Sequence, residues 1–138
     1  MKIGIFLVLF GSKSFEEALD HVVEHGLEAV EIGTGNWPGT RHCDPFQLLK
    51  DKGKIKAFKK AVDERGLTIS ALSCHGNPVH PDKKFAASNA LVQRKTIQLA
   101  GELGVDTVVS FSGCPGDSEK SKYPNWVTCP WPEDFLKI

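Results

Sequence analysis

The sequence lacks several features that would point directly to a function. Its four cysteines include no C-x-x-C pair, so it has no zinc-knuckle or thioredoxin-like signature. Lysine plus arginine equals aspartate plus glutamate at 17 each, so charge gives no reason to expect nucleic acid or an anionic membrane as a partner. No apolar run approaches the roughly 20 residues of a membrane span, and no signal-peptide cleavage pattern follows residues 3–10. These absences predict a cytoplasmic protein with reduced thiols.

The most informative feature is a pattern that occurs three times: the end of an amphipathic helix, a glycine and then a β-rich run. The glycines are Gly26, Gly66 and Gly104, spaced by about 40 residues. Glycine is favoured after a helix because it adopts the left-handed conformation without a steric cost. The pattern predicts strands at 2–10, 28–33, 67–75 and 106–112, and helices at 14–25, 44–65 and 83–103.

Helix-start signals support this order of elements. Ser14 and Glu17 form a potential capping box, and Asp44 precedes a proline at the first helical position. The second helix is expected to break near Gly53 and to resume through Ile55. Strict β-α alternation predicts parallel strands with right-handed crossovers, in either a doubly wound sheet or a (β/α)8 barrel. The repeated αβ turns favour the barrel, and no G-x-G-x-x-G motif follows the first strand.

The chain length limits this prediction, because a (β/α)8 barrel needs about 200 to 250 residues. The 138 residues provide four parallel strands, three helices and, in WPEDFLKI, the start of a fourth helix. We therefore expect an α/β protein in which residues 1–138 form the N-terminal half of a TIM-type barrel, apparently truncated.

Polar and aromatic residues concentrate after the strands, where βα architectures place their sites. Alternation along strand two directs Val30 and Ile32 to the helices and Glu31 to the barrel interior. A buried carboxylate is costly unless it is paired or ligating, so Glu31 either pairs with a Lys or Arg or lines a polar pocket. Strand three has two alternating faces, and the polar tip at Ser73 and His75 suggests that His75 points into the pocket.

Each candidate residue in these loops has more than one interpretation. His75 could bond a ligand in the pocket, bind a metal or serve a structural role, and His80 fits a loop role. Trp37 and Trp126 either cover the barrel mouth or form aromatic walls for a sugar-like ring. Ser112, at the tip of strand four, could bond a polar ligand.

Four segments in order, AVEIGTGNWPG, ALSCHGNPVHPD, VVSFSGCPGDS and NWVTCPWPEDF, resemble the sugar phosphate isomerase/epimerase group of the xylose isomerase-like TIM barrels. The resemblance covers essentially the whole chain. It implies a (β/α)8 barrel with a divalent metal, Mn, Mg, Co or Zn, at its mouth. The implied reaction is proton abstraction next to a carbonyl through an enediolate, with the metal polarising the oxygens and a carboxylate as the base.

The family's metal ligands come from later strands, so none can be assigned in this chain and the catalytic residues are expected beyond Ile138. The part of the site that the resemblance assigns to this chain is the wall that contacts the substrate. The predicted substrate-binding residues are Glu31, Trp37, His75, Asn77, Ser112 and Trp126. His75 is also a weak candidate metal ligand, since related DNA-repair enzymes have a metal-binding histidine after strand three. We expect no metal to bind tightly to this chain alone.

Three functions follow from these observations. The first is a metal-dependent isomerase or epimerase of a sugar or sugar phosphate, of which this chain alone would be inactive. The second is a non-catalytic half-barrel that self-associates through exposed sheet edges or the barrel interior. The third is DNA repair of the apurinic-endonuclease type, which the neutral charge and the lack of a basic groove disfavour.

Overall fold

The computed structural model describes residues 1–125 and contains, within that range, one four-stranded parallel sheet in the order β1-β2-β3-β4. Helices separate the strands in the predicted alternation, so the expected partial TIM barrel is confirmed. The elements are β1 (Gly4–Phe6), a 3₁₀ helix (Leu7–Phe10), α1 (Phe15–Glu24), β2 (Ala29–Gly33), α2 (Pro45–Leu48), α3 (Lys52–Asp63), β3 (Thr68–Ser73), α4 (Lys83–Leu103) and β4 (Val108–Val109).

Local side-chain chemistry sets the ends of the helices. Helix α1 begins at the predicted capping box, in which the Glu17 N–H donates to Ser14 Oγ at 3.2 Å and the Ser14 N–H donates to Glu17 Oε2 at 2.7 Å. The three repeated glycines each adopt the expected left-handed conformation, with φ values of 70°, 65° and 70° at Gly26, Gly66 and Gly104. No helix within residues 1–125 is both long and apolar enough to cross a membrane.

Two predicted strands are much shorter in the structure: strand one is Gly4–Phe6 instead of 2–10, and strand four is Val108–Val109 instead of 106–112. Strand one ends at Phe6, because the apolar run continues as a 3₁₀ turn that buries Leu7, and a short apolar run alone does not distinguish these conformations. The predicted break of helix 44–65 near Gly53 is confirmed, because α2 ends at Leu48 and α3 begins at Lys52. The Asp51 carboxylate accepts the Gly53 and Lys54 N–H groups and so starts a new helix.

The core lies between the helices and one face of the sheet. Val30 and Ile32 are fully buried there, as predicted, while Glu31 points to the opposite face and is half-buried. A register shift pairs Val30 with Ile69 but Glu31 with Ala71, so strand β3 carries one extra residue. The strict alternation predicted for strand three is therefore wrong before the bulge.

The bulge also explains which side chains of β3 join the core. Ile69 packs against the core, although strict alternation would place it on the same face as Ser73. The exposed Ser70 donates to the Val30 carbonyl at 3.1 Å. After the bulge Leu72 and Cys74 are fully buried in the core, and Ser73 and His75 lie on the opposite face. The bulge thus sets the face on which the strand ends.

Candidate functional site

A cavity of about 580 Å³ lies at the carboxyl ends of the strands. Its walls come from the loops after β2, β3 and β4 and from the first turns of α4. Among the described residues these walls contain aromatic, amide, hydroxyl and imidazole groups but no Asp, Glu, Lys or Arg. The lining residues are Asn36, Trp37, His75, Gly76, Asn77, His80, Phe85, Ser88, Asn89, Phe111, Tyr123 and Pro124.

The imidazole of His75 lies among aromatic rings in this cavity. It stacks on Phe111 with the ring centroids 4.8 Å apart and the planes 9° from parallel, and on Trp37 at 5.9 Å and 28°. Phe6 contacts it edge-on at 6.1 Å. Neither ring nitrogen has a hydrogen-bond partner within residues 1–125, so both can bond a ligand. The prediction that His75 points into the pocket agrees with this placement.

Trp37 and Asn36 connect the loop after β2 to the loop after β3. The backbone N–H of Trp37 donates to the His75 carbonyl at 3.0 Å, and the side-chain Nδ2 of Asn36 donates to the Cys74 carbonyl at 3.1 Å. Asn36 adopts φ 55°, a left-handed conformation that asparagine tolerates better than most residues. These bonds hold the Trp37 indole, which is 70% exposed, beside the imidazole at the mouth of the cavity.

Two buried asparagines organise the wall behind His75. The Asn77 N–H donates to Asn89 Oδ1 at 2.9 Å, Asn77 Nδ2 donates to the Cys114 carbonyl at 2.8 Å, and Asn77 Oδ1 accepts the Cys114 N–H at 3.0 Å. The Asn77 side chain therefore joins the loops after β3 and β4. Position 76 requires glycine, because a Cβ there would lie 2.3 Å from both Asn36 Nδ2 and Asn89 Oδ1.

Glu31 lies apart from the aromatic cavity, on the barrel-interior face. The Ser73 hydroxyl donates to its carboxylate, and no Lys or Arg of residues 1–125 forms an ion pair with it. Glu31 lines a separate hollow of about 290 Å³ together with Lys2, Gly4 and Ser70. Of the two interpretations of Glu31, the contacts favour a carboxylate that faces a polar hollow.

The remaining predicted site residues are placed less centrally. Ser112 is exposed and its neighbour Phe111 lines the cavity instead, so a substrate contact by Ser112 stays a prediction. Trp126 lies outside the described residues. His80 lines the cavity while its Nδ1 accepts the Asp82 N–H at 3.0 Å, a contact that orders the loop before α4. Among residues 1–125, no group of three potential metal ligands includes His75.

Sequence reasoning missed Asn89 and Phe111. Asn89 is an amide in the interior of α4, whose other buried residues are apolar apart from Thr96, and this polarity is the signal that could have revealed it. Phe111 and Ser112 lie in the loop after β4, which ends at Val109, so strand alternation does not decide which of these neighbours faces the cavity.

Residues 19–133 match the family of xylose isomerase-like TIM barrels. The chain belongs to this family. It is 35% identical over 134 residues to the uncharacterized protein YfiH of Bacillus subtilis strain 168, covering 96% of this chain and 42% of that protein. The resemblance stated from the strand-end segments is therefore confirmed.

Solved structures agree on the fold. A xylose isomerase domain protein from Planctomyces limnophilus superposes with a TM-score of 0.58 at 14% identity, covering 88% of this chain and 45% of that one. A D-psicose 3-epimerase, crystallised in the presence of D-fructose, gives a TM-score of 0.54 at 14% identity, covering 80% of this chain and 37% of that one. The chain thus spans less than half the length of these relatives.

Proposed function

We propose that this chain forms the substrate-binding wall of a sugar isomerase or epimerase. The observation that carries the proposal is the position of His75, with both ring nitrogens available, in a cavity at the carboxyl ends of parallel strands whose described walls contain no Asp, Glu, Lys or Arg. This end of the sheet is where enzymes of the barrel architecture carry their chemistry. The family membership and the epimerase among the structural neighbours support the same reaction class.

The cavity suits a sugar because a sugar has hydroxyl groups on its edges and apolar C–H faces. Trp37 and Phe111 offer aromatic surface for such a face, and the imidazole of His75 can donate to or accept from a hydroxyl. The walls described here contain no cationic side chain. A phosphate group is usually bound by arginine, lysine or a helix N-terminus. The first turns of α4 line the cavity, but the N–H groups of Lys84 and Phe85 at its start already donate to the Asp82 carboxylate. A neutral ketose or aldose is therefore the substrate that we favour over a sugar phosphate.

The proposed reaction is removal of a proton next to a carbonyl, followed by its return at the same or the neighbouring carbon. Family membership suggests a divalent metal, Mn, Mg, Co or Zn. The described wall offers imidazole and amide groups without a carboxylate, whereas Mn²⁺ and Mg²⁺ favour carboxylate oxygens. Among residues 1–125, the imidazoles of this wall belong to no group of three potential metal ligands, so our proposal gives this wall substrate binding only. It assigns the metal and the base to residues beyond Ile138 of the intact protein.

The experiment is a titration of the 138-residue protein with D-fructose, followed by saturation-transfer NMR. His75→Ala removes a hydrogen bond and a stacking partner, so we expect affinity to fall about three- to tenfold, the equivalent of one such bond. His42→Ala is the matched control, because this histidine bonds the Lys13 carbonyl and lies outside the cavity. Unchanged binding by the His75 variant would refute the proposed wall.

Two further outcomes test the reaction and the ligand. With Mn²⁺ or Co²⁺ added, this chain alone should not interconvert ketose and aldose, and clear turnover by the monomer would contradict the assignment of catalysis to residues beyond Ile138. Fructose 6-phosphate should bind no more tightly than fructose, because the described wall has no cation to bind phosphate. Much tighter binding of the phosphorylated sugar would overturn the preference for a neutral substrate.

Self-association is a second candidate, favoured by exposed apolar residues next to strand β1. Ile3 and Leu9 are 60% and 70% exposed, and the outer edges of β1 and β4 are unpaired within the described residues. Open edges and exposed apolar side chains promote pairing between copies. Sedimentation velocity at several concentrations tests this directly. A single monomeric species throughout would exclude the self-associating module.

A further inference from the structure

The end of α1 and its C-cap residue carry three potential metal ligands, of which one is half-buried and two are exposed. The ligand atoms of His21, Glu24 and His25 all lie within 4.8 Å of one another. Residues three and four apart are neighbours on a helix surface, so the i, i+3, i+4 spacing brings them together. Because α1 runs antiparallel to the strands, these residues lie at the opposite end of the sheet from the aromatic cavity.

The spacing has chemical meaning. The residues 21–25 read HVVEH, and the pattern H-x-x-E-H occurs on helices of zinc metallopeptidases. Two histidines four residues apart on a helix can both reach one metal ion, as in the related H-E-x-x-H motif. Glu24 and His25 are exposed and line none of the cavities described above, so we assign metal binding and not hydrolysis.

A hydrogen bond orients the His25 imidazole for binding, and a ring contact restrains the His21 imidazole. His25 Nδ1 lies 2.9 Å from the His21 carbonyl oxygen. A carbonyl only accepts, so Nδ1 carries the proton and Nε2 keeps the lone pair that a metal requires. A backbone carbonyl commonly fixes metal-ligating histidines in this way. The Phe10 ring contacts His21 edge-on at 5.2 Å and limits the movement of that imidazole.

The distances suit a small tetrahedral cation. Zinc bonds of 2.0–2.1 Å place neighbouring ligand atoms about 3.3 Å apart. His21 Nδ1 and Glu24 Oε2 are 3.4 Å apart, so this pair already has that separation. The ligand atom of the exposed His25 lies within 4.8 Å of the other two, so only a small shift of this ring is needed to reach the zinc separation. The carboxylate and the negative end of the helix dipole both favour a cation at this position.

We propose that His21, Glu24 and His25 form a surface site for Zn²⁺, leaving one coordination position for water. The test is a titration of the chelator-treated 138-residue protein with Zn²⁺ against a chromophoric competitor. We expect one ion per chain. His25→Gln should weaken binding at least tenfold, and Glu24→Gln should weaken it several-fold, with far-UV circular dichroism verifying the fold of each variant.

Matched controls separate this site from other ligands of the chain. His42→Gln removes a histidine outside the cluster, and Cys114→Ser removes a half-buried thiol, so both variants should bind like the wild type. Cobalt substitution should give the absorption of a tetrahedral nitrogen and oxygen site. Absence of stoichiometric Zn²⁺ binding would overturn the proposal. So would wild-type affinity in the folded His25→Gln protein.

Discussion

Replacement of Asn89 by leucine is the sharpest test of how the cavity is held together. Asn89 is 6% exposed on α4, and its Oδ1 accepts the N–H of Asn77 at 2.9 Å. Its Nδ2 donates to the Phe85 carbonyl, also at 2.9 Å. Leucine has the same four-heavy-atom side chain branched at Cγ but no acceptor. The substitution therefore leaves the Asn77 N–H, itself in a residue 8% exposed, without its partner.

The magnitude follows from the environment of these groups. A buried donor that loses its acceptor costs about 1–3 kcal/mol. The Phe85 carbonyl still accepts the Ser88 hydroxyl at 2.8 Å, so the second lost bond adds little. We therefore expect Asn89→Leu to lower the free energy of unfolding by about 1–3 kcal/mol, mainly through the single bond to Asn77.

The assay is urea denaturation followed by far-UV circular dichroism, with D-fructose binding as a second readout. The matched control is Gln98→Leu at an exposed position of the same helix, which should change stability by no more than about 0.5 kcal/mol. Fructose affinity should fall in the Asn89 variant, because Asn77 then loses its anchor to α4. Wild-type stability with an unchanged denaturant slope would refute the reasoning.

Three further predictions concern other buried or capping groups. Thr34 Oγ1 donates to a β3 carbonyl, so Thr96 donates to Thr34 at 2.8 Å. Thr34→Val should therefore lower the free energy of unfolding, measured by urea denaturation, by about 1–3 kcal/mol, and Thr96→Val should lower it clearly less. Equal losses in the two variants would contradict the assignment of Thr96 as the donor to Thr34. Burial raises the pKa of Cys43 to about 12, so iodoacetamide should modify this thiol, by mass spectrometry, only after unfolding. Rapid labelling of the native protein would oppose that expectation. The pKa of Asp82 is lowered, mainly by the hydrogen bond from the Phe85 backbone N–H. The stability that the ionised Asp82 carboxylate contributes is therefore lost as pH falls through its folded-state pKa. Asp82→Asn keeps a cap and should reduce the acid dependence of the melting temperature, and an unchanged pH profile would count against it.

The alternation of strands and helices could be predicted because it rests on local chemistry. The three glycines after α1, α3 and α4 are left-handed as expected, and the capping box at Ser14 forms as its spacing indicates. These features depend on residues within a few positions of one another. Sequence patterns of this kind therefore determine the order of the elements and the end of the sheet at which polar loops collect.

The details that depend on register could not be read from the sequence. The bulge in β3 moves Ile69 into the core, because pairing with β2 and not the local pattern decides where the extra residue is placed. Strand β4 ends at Val109, so Phe111 and Ser112 lie in the loop after it, where alternation does not decide which residue lines the cavity. Period-two alternation gives the faces of a strand only where its pairing is regular.

The candidate site was predicted in part. His75 and Trp37 were identified as pocket residues from their position after the strands, and the structure places their rings 5.9 Å apart. Asn77 was predicted to bind substrate, but both ends of its amide already bond Cys114. Its direct contact with a ligand stays a prediction. The partner of Asn77 on α4 depends on how the helix packs over the loops, which no local pattern encodes.

The most direct test of the account is a titration of the ¹⁵N-labelled imidazoles with D-fructose. His75 is the histidine among the stacked rings of the cavity, whereas His21 and His42 lie outside it. The account predicts saturable shifts of the His75 ring nitrogens, no change at His21 and His42, and loss of the shifts in Trp37→Ala. Unchanged His75 signals at saturating sugar would contradict a sugar-binding wall in this chain.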